Sequence, residues 1–206
     1  MSNQELSMDP AISRPRPNVH QGPSSTNRKS PLWEIAQTAL LAFILAQLLV
    51  HYIVQPHHVK GASMEPNFAD GDYILTDKLT YRFRPPARGE VIVFHSPKTP
   101  KTEFIKRIIG LPGDTVEIRG NKIYINGREL VETYLPYPSL AYGPNKIRGA
   151  ESITVPEGSY FVLGDNRGNS YDSRYFGVIA RSDIEGRTIF RYWPISEVKA
   201  ITSPSY

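Results

Sequence analysis

Two residues of complementary chemistry stand out in this sequence. They are Ser63, in Gly61-Ala62-Ser63-Met64-Glu65-Pro66, and Lys106, in Phe104-Ile105-Lys106-Arg107-Ile108-Ile109. A serine hydroxyl is a poor nucleophile until a neighbouring base takes its proton. An amine is such a base only when uncharged, and in water lysine keeps its proton up to a pKa of about 10.4. Burial penalises the ammonium and lowers that value by as much as several units. In an extended strand Phe104, Lys106 and Ile108 share one face, because side chains alternate. An amine in that setting is suited to general-base work, while Arg107, on the opposite face, stays charged and available to a carboxylate. The competing reading of Lys106 is an edge-strand lysine whose ammonium reaches water along its stem. For Ser63 it is a turn serine that caps backbone amides. The small residues before Ser63 leave room for a substrate backbone, and Pro66 keeps Glu65 extended.

A third segment, Gly164-Asp165-Asn166-Arg167-Gly168-Asn169-Ser170-Tyr171-Asp172-Ser173-Arg174, is dense in turn formers and opposite charges. It predicts a rigid loop wired by hydrogen bonds and ion pairs among Asp165, Asp172 and Arg174, with Arg107 as a further partner. An ordinary polar turn is the alternative. A calcium loop is disfavoured because the EF-hand order of ligands is not met, so no metal and no cofactor are expected. A serine-histidine-aspartate arrangement would have to draw on His57 or His58, at the exit from the apolar span, or on His95, at a strand end with no obvious Asp partner. The chain has no cysteine, which excludes disulfides, thiolate catalysis and Cys-ligated metals. Its net charge of +4 comes from basic residues interleaved with acidic ones, with no long basic run, so nucleic acid is not an expected partner.

The elements that must position these groups begin with an apolar stretch, Ile35 to Val54, that ends nine residues before Ser63. Twenty residues of helix span about 30 Å, the thickness of a hydrocarbon core. Trp33 and Tyr52 stand near its ends, where amphipathic rings favour the interface. A cleaved signal peptide would have a shorter apolar region followed by a small-x-small site; here Gln55-Pro56-His57-His58 follows. The reading is a retained anchor over 32–55, after a disordered tail over 1–31 that is rich in Ser, Pro, Asn and Gln. Arg14, Arg16, Arg28 and Lys29 before the span put the N-terminus in the cytoplasm and residues 56–206 outside it.

After residue 56 helical periodicity gives way to short alternating runs. Strands are predicted at Asp72–Thr76, Glu90–Phe94, Thr102–Ile109, Tyr160–Leu163 and Thr188–Trp193. Val116 and Ile118 face Ile123 and Ile125 across a Gly120-Asn121 hairpin turn, and Asn126-Gly127 makes another. Residues 131–150, with their prolines and tyrosines and no period, read as an excursion or small cap over a mainly β core.

Together the segments GASMEP, FIKRIIGLPGD and GDNRGNSYDSRYFG, in that order after an N-terminal anchor, resemble bacterial type I signal peptidase of serine peptidase family S26. The resemblance covers roughly residues 33–195. It implies a mainly β, signal-peptidase-type catalytic core preceded by one transmembrane helix. It also implies a Ser-Lys dyad that removes signal peptides from exported preproteins, cutting after small residues of the Ala-x-Ala type. Ser63 would be the acylated nucleophile and Lys106 the general base. Ser170 would orient the amine, and Arg107, Asp165, Asp172 and Arg174 would form a structural charge network. The family's second oxyanion donor, a hydroxyl two residues before the nucleophile, falls here on Gly61, which has none; a backbone amide or a water is what remains to fill that place. Val59, Met64, Phe68, Ile74, Val93 and Ile105 match positions that line the shallow substrate pockets, and core packing is their other reading. Partners would be signal peptides and membrane lipid, with Tyr81, Phe83 and Trp193 as residues to dip into the headgroups, and the protein a monomer. The membrane would be the inner (plasma) membrane, or a thylakoid membrane where the cell has one. The reading from another class is a membrane-anchored β module that binds a protein partner and catalyses nothing.

Overall fold

The computed structural model describes residues 30–120, 122–136, 147 and 151–204. The N-terminal tail, most of the 131–150 excursion and Asn121 of the hairpin turn lie outside the described residues. Helix α1 runs Pro31–Tyr52. Proline suits its first position, where a missing N–H costs nothing. Its large side chains, among them Leu40, Leu41, Phe43, Ile44 and Leu45, are exposed on all sides and none is buried. A helix apolar all round belongs in an apolar medium, and its 22 residues reach about 33 Å, long enough to cross a bilayer. The helix stops earlier than the 32–55 reading. Lys78 donates its N–H to Ile53 O, and Val54 pairs with Asp77, so a neighbouring strand captures the backbone and residues 54–58 become β.

Among the described residues twelve strands follow: β1 Val54–His58, β2 Tyr73–Asp77, β3 Val91–His95, β4 Glu103–Gly110, β5 Thr115–Arg119, β6 Lys122–Ile125, β7 Arg128–Glu129, β8 Ser152–Thr154, β9 Ser159–Leu163, β10 Ile179–Ala180, β11 Ile184–Trp193 and β12 Lys199–Ala200. One short helix, α2, covers Ser173–Phe176. The larger sheet has the order β1-β2-β11-β3-β4-β9-β10, with β12 on β11, and the smaller sheet the order β7-β6-β5-β8. All pairings are antiparallel.

The larger sheet is covered on both faces, which is why β3 and β4 read as continuous apolar runs. Val91, Val93 and Ile105 pack with Val59, Met64, Phe68 and Ile74. Ile92, Phe94 and Ile108 pack on the other side with Tyr160, Val162, Phe176 and Ile179. The hairpin of β5 and β6 closes a third cluster over Ile109, Phe161 and Leu163, which Ile147 of the excursion joins. Tyr81, expected to reach lipid, is instead buried at 7% exposure and donates its hydroxyl to Glu90 Oε2. Phe83 and Trp193 are exposed.

Candidate active site

Strand β4 carries the lysine. Its pairing with β3 sets Ile92 opposite Lys106 and Val93 opposite Ile105. β9 joins β4 only from Arg107 onward. Among the described residues no strand pairs the β9-side edge of residues 103–106. Lys106 stands at the end of this gap. Its Nζ lies 2.7 Å from Ser63 Oγ and 2.8 Å from Ile105 O, and 5.4 Å from the centre of the Phe104 ring. Lys106 is 4% exposed. Burial pulls its pKa down from the ordinary lysine value to about 8, against the opposing pull of the Asp172 and Asp165 carboxylates. An amine in that range gives up its proton near neutrality, and one that has done so accepts the Ser63 hydroxyl proton across the 2.7 Å contact. No imidazole is hydrogen-bonded to Ser63 among the described residues.

The serine loop is held by the segment after β9. Asn166 donates its backbone N–H to Ser63 O at 3.1 Å and its Nδ2 to Ala62 O at 3.0 Å. A side chain at Gly164 would overlap both Ser63 O and Ser170 Oγ, so only glycine lets these backbones come together. Gly61 has φ +82°, in the region L side chains avoid, and its N–H donates to Asp70 Oδ1 at 2.6 Å. The turn geometry thus disfavours a hydroxyl-bearing residue at position 61, and the amide there is already committed.

Two buried ion pairs fix the segment. Arg107 donates Nε and Nη2 to the two oxygens of Asp165 at 2.8 and 2.6 Å, and its Nη1 to Gly89 O at 2.8 Å. Asp172 accepts Nε and Nη2 of Arg174, both at 2.8 Å. It also takes the N–H of Gly164 and, as the cap of α2, that of Arg174. Such bidentate pairs carry geometric specificity as well as energy. Ser170 Oγ is buried against Gly164 and has no hydrogen-bond partner among the described residues; it is not bonded to Lys106, whose second contact is Ile105 O.

Other residues tie the site together with no distinguishing signal in the sequence. Asn67 Nδ2 bridges Asp165 Oδ2 and Tyr134 O. Arg167 is buried and held by Glu132 through both terminal guanidinium nitrogens, which keeps it charged despite its burial. The Tyr134 ring stacks on the Arg107 guanidinium at 4.1 Å. The start of the excursion is therefore strapped to the loop that carries Asn166.

Ser63 and Lys106 open onto a cleft of about 660 Å³ whose walls run from Gln55–Lys60 to Lys101–Ile105 and include Ile74, Val93 and Tyr171. Of the six residues proposed to line substrate pockets, all fall in one cluster, but only Val59, Ile74, Val93 and Ile105 reach the cleft wall. Met64 and Phe68, at 0% and 1% exposure, are sealed beneath it as core.

Residues 32–193 match the family described as signal peptidase, peptidase S26. A signal peptidase I of Leptolyngbya laminosa is 36% identical over 91% of this chain and 93% of its own. A probable signal peptidase I-2 of a Synechocystis strain is 39% identical over 87% of this chain and 83% of its own. The crystal structure of a signal peptidase I from Enterococcus faecalis is 43% identical, with a TM-score of 0.45, over 50% of this chain and 97% of that one.

Proposed function

The chain belongs to the signal peptidase family, peptidase S26, and from that premise we propose that it is a membrane-anchored serine endopeptidase working through a Ser63–Lys106 dyad. The observation that carries this is a buried lysine amine 2.7 Å from a serine hydroxyl at the edge of an open cleft. Its substrates are preproteins, cut after small residues of the Ala-x-Ala type. The anchor is α1, with the N-terminus cytoplasmic and the β domain, residues 56–206, outside.

The preprotein lies extended in the cleft between β1 and the free edge of β4, exchanging main-chain hydrogen bonds as an added strand does. Val59, Ile74, Val93 and Ile105 line the cleft, and on this reading they belong to the shallow pockets that take the small side chains. Ser63 Oγ attacks the scissile carbonyl carbon as neutral Lys106 takes the hydroxyl proton. Collapse of the tetrahedral species breaks the peptide bond, and Nζ returns the proton to the departing amine. Water then attacks the acyl-serine, gives its proton to Nζ, and Nζ restores it to Oγ. The Ser63 N–H is one oxyanion donor. The Gly61 amide is held by Asp70, so the second donor is another backbone amide or a water; one such donor is worth about 3 kcal/mol of the barrier. The resemblance assigns Ser170 to orienting the amine, for which its unpaired Oγ has to turn from Gly164 onto Nζ, and the Arg107–Asp165 and Arg174–Asp172 pairs hold the loop that bears Asn166.

The test is cleavage of a purified preprotein by the full chain in detergent micelles, with the cut site read by mass spectrometry. Wild type is expected to cut after a small residue, and Ser63→Ala, Lys106→Ala and Lys106→Arg to leave the substrate intact, since a guanidinium does not deprotonate. Equal cleavage by Ser63→Ala, or none by wild type, rejects the reading.

A further inference from the structure

The cleft wall contains a second cluster of titratable groups that the dyad does not use. His57 of β1 turns its Nδ1 toward Glu103 Oε2 of β4 at 3.1 Å, and its Nε2 toward Glu185 Oε2 of β11 at 3.9 Å. The imidazole is 8% exposed and the Glu185 side chain 11%. One ligand atom from each of these three residues lies within 4.8 Å of the other two. Among the described residues, neither His57 Nε2 nor Glu185 Oε2 has a hydrogen-bond partner, and His95 Nδ1 is buried in the same condition. His95 stands directly opposite Glu103 in the β3–β4 register, which brings its Cβ within about 5 Å of that of Glu103 on one face of the sheet.

Buried polar atoms are ordinarily paired, so His57 Nε2 and Glu185 Oε2, both unpaired and facing each other, point to a shared partner. A hydrogen bond between Nε2 and Glu185 does not supply it, because 3.9 Å is too long. Two ligands on a tetrahedral metal, each bonded at about 2.0–2.2 Å, stand about 3.4 Å apart, a small closure from what is seen. The remaining contact fits as well: a metal-ligating imidazole donates its other ring N–H to a carboxylate, which fixes its tautomer and orientation. Glu103 is placed to accept from Nδ1 in that way. Lys78 Nζ sits 3.6 Å from Glu185 Oε1 and donates to Gln55 Oε1, leaving Glu185 Oε2 open. With the imidazoles neutral, two carboxylates and one ammonium leave a single negative charge facing the gap.

We propose that His57 and Glu185, oriented by Glu103, form a binding site for a divalent transition metal of the zinc class. Imidazole and carboxylate together favour such ions over magnesium or calcium, which prefer oxygen alone. The ligands come from β1 and β11, and Glu103 of β4 holds the imidazole, so a bound ion ties the β1 wall of the cleft to the β4 wall and sets the width of the groove between them.

The experiment uses the full chain, untagged, in detergent and stripped with a chelator. Zn2+ and Co2+ are titrated calorimetrically, and the Co2+ form is examined for the visible absorption of a tetrahedral site. One equivalent is expected to bind and to raise the melting temperature, with Mg2+ doing neither. His57→Gln and Glu185→Gln are expected to weaken affinity by at least about 100-fold, and Glu103→Gln by about 10–100-fold. His58→Gln, exposed and stacked on Tyr73, leaves it unchanged. Affinity equal in wild type and in the His57 and Glu185 variants overturns the proposal. So does a Co2+ spectrum of octahedral type in the wild type, a readout that does not depend on how the variants fold.

Discussion

At the scale of single residues, the proposed chemistry rests on where Lys106 loses its proton. Burial sets that point at about 8, with Asp172 and Asp165 opposing the shift. At pH 7 about one amine in ten is then neutral, and kcat/KM for a peptide substrate is expected to rise about tenfold per pH unit before levelling above pH 8. A profile flat from pH 6 to 9 sinks the assignment of the base. The same shift acts on stability. The unfolded chain keeps the lysine proton up to 10.5 and the folded one only up to about 8. Between those values the unfolded state binds the extra proton, so stability climbs with pH by about 3 kcal/mol in total; below pH 8 this slope vanishes. At pH 7 the folded state carries the full cost of a buried ammonium. Lys106→Met is therefore expected to be inactive and about 1–3 kcal/mol more stable in urea denaturation at pH 7, with no gain left at pH 11. Strand alternation and an apolar frame marked Lys106 as unusual, but an edge-strand lysine fits the same pattern, and its pairing with Ser63 was implied by the family resemblance. Asn166 and Asn67 were not legible, because an amide that bonds a distant backbone carbonyl looks in sequence like any turn asparagine.

At the scale of elements, legibility tracked how strongly the pattern depended on local residues. The β5–β6 hairpin and the Asn126-Gly127 turn were readable from chemistry that demands positive φ: Asn126 sits at 52° and Gly127 at 79°. Strand β1 was missed because Ile53 and Val54 continue the apolar run of the span, and only pairing with β2 makes Val54–His58 extended. β11 is longer than Thr188–Trp193 because Glu185, Gly186 and Arg187 hide its start, and a bulge between Ile184 and Gly186 admits them. β10 and β12 are two residues each and exist only as partners of longer strands. Tertiary pairing also explains how the excursion matters. Glu132 and Arg167, both nearly sealed from solvent, join it to the loop behind Ser63, and Arg167 Nε donates to Gly164 O. Removing one partner of a buried pair strands the other charge, at about 3–5 kcal/mol. Glu132→Gln is expected to destabilise the domain by about that much, measured by urea denaturation. It is also expected to lower kcat with the pH midpoint near 8 unmoved, because it loosens the serine loop and leaves the amine's surroundings alone. A shifted midpoint would place Glu132 in the titration of the base.

At the scale of the whole molecule, the anchor and the β domain contribute different terms to one rate. The dyad, its charge pairs and the cleft all lie between residues 55 and 174, so intrinsic chemistry does not need α1. What the helix supplies is confinement: two partners held at one surface meet at a raised effective concentration without any new contact. The two roles separate at a residue boundary that the fold defines. A chain starting at Ile53 keeps β1 and its pairing with β2, whereas one starting at Val59 loses both the strand and the Gln55–His58 wall of the cleft. The first truncation is expected to cleave a short soluble peptide with kcat/KM within about threefold of the full chain, and to fall about 100-fold or more behind it on a preprotein embedded in the same liposomes. The second is expected to be inactive on both substrates and less stable. Equal rates for the full chain and the Ile53 truncation on the embedded preprotein would show that tethering contributes nothing. Peptide activity lost already at Ile53 would mean that the helix helps build the site, contrary to the cleft's confinement within the β domain.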